Sequence, residues 1–194
     1  MVASRNEHKL RELAGLLPDH ELVPLPDDVT LPPETGTTFT DNALIKARAA
    51  AEATGQTAIA DDSGIEAVAL GGRPGVRSAR FAGEDASDQD NLDRLLRDVP
   101  DDGDRRVAYV CVLAFVGPGG EERLFEGRCE GTLATEPRGE RGFGYDPAFL
   151  ADETPDGRTM AELDAAEKDA ISHRGRAARG LADWLAHAPQ GRAG

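Results

Sequence analysis

Two consecutive carboxylates follow an apolar run in Ala60-Asp61-Asp62-Ser63-Gly64. Thr57 to Ala60 reads as a buried strand that delivers both acids and a hydroxyl into a glycine turn. Ligands of α/β proteins gather at strand ends. Paired carboxylates suit Mg2+, which takes oxygen ligands and commonly uses one or two carboxylates together with substrate phosphates. One of the pair could instead accept a proton from an attacking water, and its neighbour and partial burial would raise one pKa of the pair. A capped turn with solvated Asp side chains fits the same residues.

Four other segments carry similar potential. Ser4-Arg5-Asn6-Glu7-His8-Lys9 is a polar loop ahead of a helix, where backbone N–H groups and a lysine make a site for an anion. It lacks the glycine pattern of a Walker loop. Asp41 stands in the first turn of a helix that also carries Lys46, so it is a candidate metal carboxylate or a simple capping acid. Gly142-Phe143-Gly144-Tyr145-Asp146-Pro147 sets two aromatics between glycines, which lets ring faces approach a flat ligand. Glu167-Lys168 and Ser172-His173-Arg174 bring together donors suited to phosphate or a carbonyl oxygen. Each has a bland counterpart in an ordinary polar loop, helix start or core turn.

Only three of the 22 Lys and Arg residues are Lys, at positions 9, 46 and 168. A chain that otherwise uses Arg makes Lys informative, because ammonium and guanidinium are not interchangeable at a tight phosphate site. All three fall in the segments above.

The elements that must position these residues alternate. Val2 to Ser4 reads as a short first strand, followed by a helix from about Lys9 to Leu17 with Leu10, Leu13, Leu16 and Leu17 at helical spacing. Prolines between 24 and 36 predict an extended connection. Thr38 and Asp41 at capping spacing open a second helix that Gly55 ends. Ser87 and Asp90 cap a short helix, and Arg106 to Val116 forms a strand that Gly117-Pro118-Gly119-Gly120 turns back into Arg123 to Cys129. Irregular chain follows Pro147, and a last helix starts near Ser172. The class is α/β with a mixed sheet, in a single domain over 1–194 with a frayed tail over 189–194.

The net charge of -14 argues against a protein that coats nucleic acid, since that role needs dense cationic surface. A small polyanion would need a local cationic pocket or a divalent metal. No apolar run reaches the ~20 residues of a membrane helix, and the N-terminus lacks a signal peptide, so no membrane association and a cytoplasmic location are expected. Cys111 and Cys129 read as buried thiols.

Taken in order, these segments, with Glu34-Thr35-Gly36, Asn42-Ala43 and Pro74 to Phe81, resemble the Ham1-like inosine-triphosphate pyrophosphatase family, the dITP/XTP pyrophosphatases, from end to end. The resemblance implies a long mixed β-sheet flanked by helices in two lobes, with the active site in the cleft, and a homodimer. It also implies Mg2+-dependent cleavage of dITP, ITP and XTP to the monophosphate and pyrophosphate. Asp62 would be general base and metal contact, Ser63 would touch substrate, and Ser4, Arg5, Asn6, Glu7, His8 and Lys9 would hold phosphate. Lys46 would stand beside the reacting triphosphate. Phe143, Gly144, Tyr145 and Asp146 with Lys168, His173 and Arg174 would form the base pocket. Two departures stand out. Asp41 occupies the place of a metal-binding Glu, with shorter reach, and the chain starts two or three residues earlier in its first strand than the family pattern. A broader or pyrimidine-directed pyrophosphatase and a non-catalytic nucleotide-binding module are the competing readings.

Overall fold

The computed structural model describes residues 1–154 and 156–187, so the expected frayed tail lies outside the described residues. Four strands form one sheet in the order β1 (Ala58–Ala67), β2 (Arg106–Val116), β3 (Glu122–Leu133) and β4 (Phe149–Ala151), all antiparallel neighbours. Its parallel character comes from Val2, which bridges to Ile59 and Pro24. The expected first strand is therefore reduced to an isolated bridge residue. The helices are α1 (Glu7–Leu16), α2 (Phe39–Thr54), α3 (Asp88–Asp98), α4 (Ala165–Ile171) and α5 (His173–His187).

Local chemistry explains most boundaries. Asn6 caps α1 by accepting from the N–H groups of His8 and Lys9, which starts the helix at Glu7, two residues before the expected position. Thr38 caps α2 and left-handed Gly55 closes it. Ser87 and Asp90 form a reciprocal capping box on α3, worth about 1 kcal/mol. Asp164 and Glu167 do the same for α4, a helix where irregular chain was expected.

The largest correction concerns β1. It does not end at Asp61 but runs on to Ala67, paired with β2 throughout. Gly64 is not there for a turn: a Cβ at this position would collide with Ser78 and Gly75, so glycine admits the short 3-10 segment Gly75–Arg80 against the strand.

Because side chains alternate along a strand, β1 serves two layers. Ala58 and Ala60 pack with Val110, Val112 and Ala114 under Phe39, Ala43 and Ala47 of α2. Ile59 packs on the other face with Leu113 and Phe115 beneath Leu13 of α1 and Ala177 and Leu181 of α5. Further along, Ile65 and Ala67 join a third cluster with Tyr109, Leu92, Leu95, Tyr145, Phe149 and Met160. Residues 61–64 thus stand where the strand passes from the first two cores to the third.

Candidate active site

Asp62 points to the α2 side. Its Oδ1 accepts from Lys46 Nζ at 3.0 Å and its Oδ2 from Asn42 Nδ2 at 3.2 Å. Asn42 and Lys46 are one helical turn apart, so both face the strand. Lys46 Nζ also donates to Glu34 Oε1 at 2.6 Å and to the Asp61 carbonyl at 2.8 Å. Two carboxylates from distant segments therefore converge on one ammonium, and Glu34 additionally meets Arg80 at 3.5 Å.

Asp61 points to the α1 and α5 side. It accepts from Lys9, from Ser63 Oγ at 2.9 Å, from Arg174 Nε at 2.9 Å and from the Cys111 thiol at 3.1 Å. Ser63, Cys111 and Gly127 are register partners across β1, β2 and β3. At Gly127 a Cβ would collide with the His173 carbonyl, so the glycine lets the start of α5 sit directly on the sheet. That contact places His173 and Arg174. Arg174, 1 % exposed, also donates to Ser63 Oγ at 2.9 Å and to Glu12. Glu12 is shared with Lys168 Nζ at 2.7 Å, which in turn meets Asp146 Oδ2 at 2.7 Å.

Two adjoining cavities border these clusters. One, of about 630 Å³ with its open mouth, is lined by Asn6, Lys9, Ser63, Tyr109, Phe143, Gly144, Tyr145, Asp146, Lys168, His173 and Arg174. The second, about 1190 Å³ and more open, is lined by Ser4, Arg5, Asn6, Lys9, Glu34, Lys46 and Asp61 among others. Asn6 and Lys9 border both. In the first cavity Phe143 stacks on His8 with centroids 5.1 Å apart, and Lys168 Nζ lies 5.2 Å from the Phe143 ring. His173 stacks on Tyr109 at 4.5 Å, and its buried Nδ1 has no hydrogen-bond partner.

The two strand acids have opposite protonation behaviour. Burial by itself would raise Asp61, but the Arg174 and Lys9 charges outweigh it and hold the carboxyl well below its usual value. Asp62 is raised, first by burial and further by the Glu34 charge, against the opposing pull of Lys46. The expected mutual coupling of the two acids is not the cause, since they face opposite sides of the strand. Burial tends to lower Lys46 and Lys168, yet Asp62 and Glu34 raise the first and Asp146 and Glu12 the second. His173 is held well below its ordinary value by burial and then by Arg174, so it is neutral.

Most of the residues singled out in the sequence come together, with informative exceptions. All three lysines bind buried or half-buried carboxylates around the two cavities. Ser4 accepts from the Asn6 N–H, and the Asn6 side chain accepts from the His8 and Lys9 N–H groups. Arg5 is exposed and reaches the carbonyls of Asp27 and Val29, clasping the proline-rich connection. Glu7 lines neither cavity, and His8 contributes its ring to Phe143. Gly144 donates its N–H to Asp88, Tyr145 anchors its hydroxyl on the Ser78 carbonyl at 2.7 Å, and Asp146 accepts from Tyr109 and the Phe143 N–H.

Asp41 does not reach the cluster. It is exposed on the first turn of α2, about 100° around the helix from Asn42. Glu34 is the acid that stands with Asp62 on Lys46. Glu12, Asn42 and Tyr109 were likewise not singled out as site residues. The available signal was helical spacing, Asn42 to Lys46 and His8 or Lys9 to Glu12. No group of three or more His, Cys, Asp or Glu arranged for a metal occurs among the described residues.

Comparison with known proteins gives a consistent picture. The model of the Ham1 family matches residues 1–184. The dITP/XTP pyrophosphatase of Frankia alni is 53% identical over 197 residues, covering 95% of this chain and 96% of that protein. That of Cutibacterium acnes is 48% identical and covers 93% of each. Among solved structures, a HAM1 protein from Coxiella burnetii aligns with a TM-score of 0.87 at 44% identity, over 96% of this chain and 98% of that one. The nucleoside-triphosphatase / dITP/XTP pyrophosphatase from Mycobacterium abscessus aligns at 0.75 with 46% identity, over 95% and 97%.

Proposed function

The chain belongs to the Ham1 family, and from that premise we propose that it hydrolyses dITP, ITP and XTP to the nucleoside monophosphate and pyrophosphate, clearing non-canonical purines from the nucleotide pool. The observation that carries this reading is the pair of adjoining cavities that share Lys9: an aromatic slot with cationic donors beside a polar cleft with Lys46 and Glu34.

Phe143 offers a ring face to a purine, and such stacking is worth ~1 to 3 kcal/mol per base in single-strand binders. Lys168, Arg174 and neutral His173 offer donors to a 6-keto oxygen. ATP brings a 6-amino donor to the same place and leaves these groups unpaired, a mismatch that can cost about 10,000-fold. Lys9 and Lys46 face the triphosphate.

Glu34 and Asp62 are the carboxylates we assign to Mg2+. Their convergence on Lys46 fits an ion that uses one or two carboxylates and completes its shell with phosphate oxygens and water. When bound, Mg2+ would neutralise phosphate charge and polarise the reacting groups. Asp62, with two lone-pair sites not used by Lys46 or Asn42, accepts the proton of the attacking water. The water oxygen bonds to the α-phosphorus, the bond to the bridging oxygen breaks, and pyrophosphate leaves with that electron pair. In the absence of the metal, burial and the Glu34 charge raise the Asp62 pKa, the direction a general base needs.

The whole chain would act as one such domain, in the cytoplasm and as a homodimer. No described helix is long and apolar enough to cross a membrane. The test is purified protein with ITP and Mg2+, products resolved into pyrophosphate and orthophosphate, with ATP alongside. Pyrophosphate from ITP and hardly any from ATP is the expected result. No release from any triphosphate by folded protein would favour a binding module instead.

A further inference from the structure

Asp61 is 1 % exposed, and both its oxygens are fully engaged. Oδ1 accepts from Lys9 and Ser63, and Oδ2 from Arg174 Nε and the Cys111 thiol. An ionised carboxylate offers about four lone-pair sites, so none is left for a metal ion. Nor does Asp61 orient Asp62, whose side chain projects from the opposite face of β1 and is held by Lys46 and Asn42. What distinguishes Asp61 is the set of cations it holds. Lys9 borders both cavities, and Arg174 lines the aromatic slot. The guanidinium is a rigid planar fork. Asp61 at Nε, Ser63 at Nη2 and Glu12 at Nη1 therefore fix its plane and decide which N–H groups remain for a ligand.

We infer that Asp61 is a positioning residue for base selection: its charge fixes the Arg174 fork at the base slot and the Lys9 ammonium at the border with the phosphate cleft, tying recognition of the two ends of the nucleotide together. The inference rests on the nucleotide reading above. Its chemical content is that removal of this one negative charge frees a cation at each end without touching the proposed base, Asp62, or the proposed metal carboxylates.

The experiment measures kcat and KM for ITP and for ATP, with Mg2+ titrated in each case, on the wild type, Asp61→Asn and Cys111→Ala. The asparagine is isosteric, and Cys111 lines neither cavity while its thiol donates to Asp61. For Asp61→Asn the ratio of kcat/KM for ITP over ATP should fall by at least about tenfold, mainly through a higher KM for ITP, with the Mg2+ half-saturation within about twofold of wild type. A preserved ratio, with loss confined to kcat or to thermal stability, overturns the inference. A markedly higher Mg2+ requirement also overturns it, by making Asp61 a metal ligand. If Asp61→Asn does not fold, Cys111→Ala decides: a ratio lowered about threefold supports the inference, and an unchanged ratio in folded protein overturns it. A wild type that shows no preference for ITP defeats the nucleotide reading itself, and that failure is visible before any variant is made.

Discussion

Asp61 and Asp62 are consecutive in the chain, yet Asp61 lies on Arg174 Nε at 2.9 Å and Asp62 on Lys46 Nζ at 3.0 Å, on opposite faces of β1. One acid is stabilised in its charged form and the other is not. For Asp62 the folded pKa lies above the unfolded one, so its contribution to stability is complete below the unfolded value and is lost as pH rises through the folded value. For Asp61 the folded pKa is depressed, and its contribution is present above the unfolded value and lost as pH falls through the folded one.

Asp62→Asn should therefore separate activity from stability. Turnover of ITP should fall by about 100 to 10,000-fold, the usual share of a general base. The melting temperature at neutral pH should be unchanged or slightly higher, because the fold no longer accommodates a charge it disfavours. Pyrophosphate release and a thermal melt on the same preparation check both halves, and a near-normal rate would remove Asp62 from the role.

Titration of the wild type carries the same signature. In the metal-free protein the Asp62 carboxyl should titrate above the ~3.9 of an unperturbed aspartate, since burial and the Glu34 charge raise its pKa. A side-chain carboxyl NMR titration without Mg2+ checks it, and a value at or below that of the unperturbed group would remove the raised Asp62 from the argument.

Glu34→Gln and Asp41→Asn make a matched pair. Glu34 shares Lys46 with Asp62, so its neutralisation should raise the Mg2+ concentration for half-activity by about tenfold or more, the scale of losing a carboxylate ligand. Asp41 is exposed and away from the cluster, so Asp41→Asn should stay within about twofold. A Mg2+ titration of ITP hydrolysis distinguishes them, and the reverse order would restore Asp41 as the ligand.

Gly127→Ala tests how α5 is placed. The added methyl collides with the His173 carbonyl, so the helix start must move. Overpacking of this kind costs about 1 to 3 kcal/mol, and the displacement of His173 and Arg174 should raise the KM for ITP more than it lowers kcat. Denaturant unfolding and steady-state kinetics together check it. An unaltered KM would show that α5 shifts without carrying the base slot along.

Lys168→Met should be among the most destabilising single changes. Asp146 and Glu12 both rest on its ammonium at 2.7 Å, and breaking a buried pair costs about 3 to 5 kcal/mol. Partial rescue of the melting temperature at lower pH, where the stranded acids take up protons, is the accompanying expectation.

Local rules were enough for the boundaries of α2, α3 and β2. The apolar run of β2 matches Arg106–Val116 residue for residue, and Thr38, Gly55, Ser87 and Asp90 act at the α2 and α3 boundaries because capping depends on neighbours a few residues away. The scarcity of Lys in an Arg-rich chain pointed to the three ammonium groups that pair with carboxylates around the cavities. Helix α4 escaped because seven residues are too few for periodicity, although Asp164 and Glu167 stand at capping spacing. What only the tertiary structure decided is direction and partnership. Asp61 and Asp62 diverge because β1 continues past them, and Gly64 exists for a close approach of the chain from Gly75 onward, not for a turn. Glu34, and not Asp41, meets Lys46 because helix rotation turns Asp41 outward while an irregular segment brings Glu34 in. Glu12 meets Lys168 and Arg174 across most of the length of the chain. A sequence records which charges exist and their local spacing. Which charges neutralise one another in a buried site depends on distances that the packed helices and the sheet alone establish.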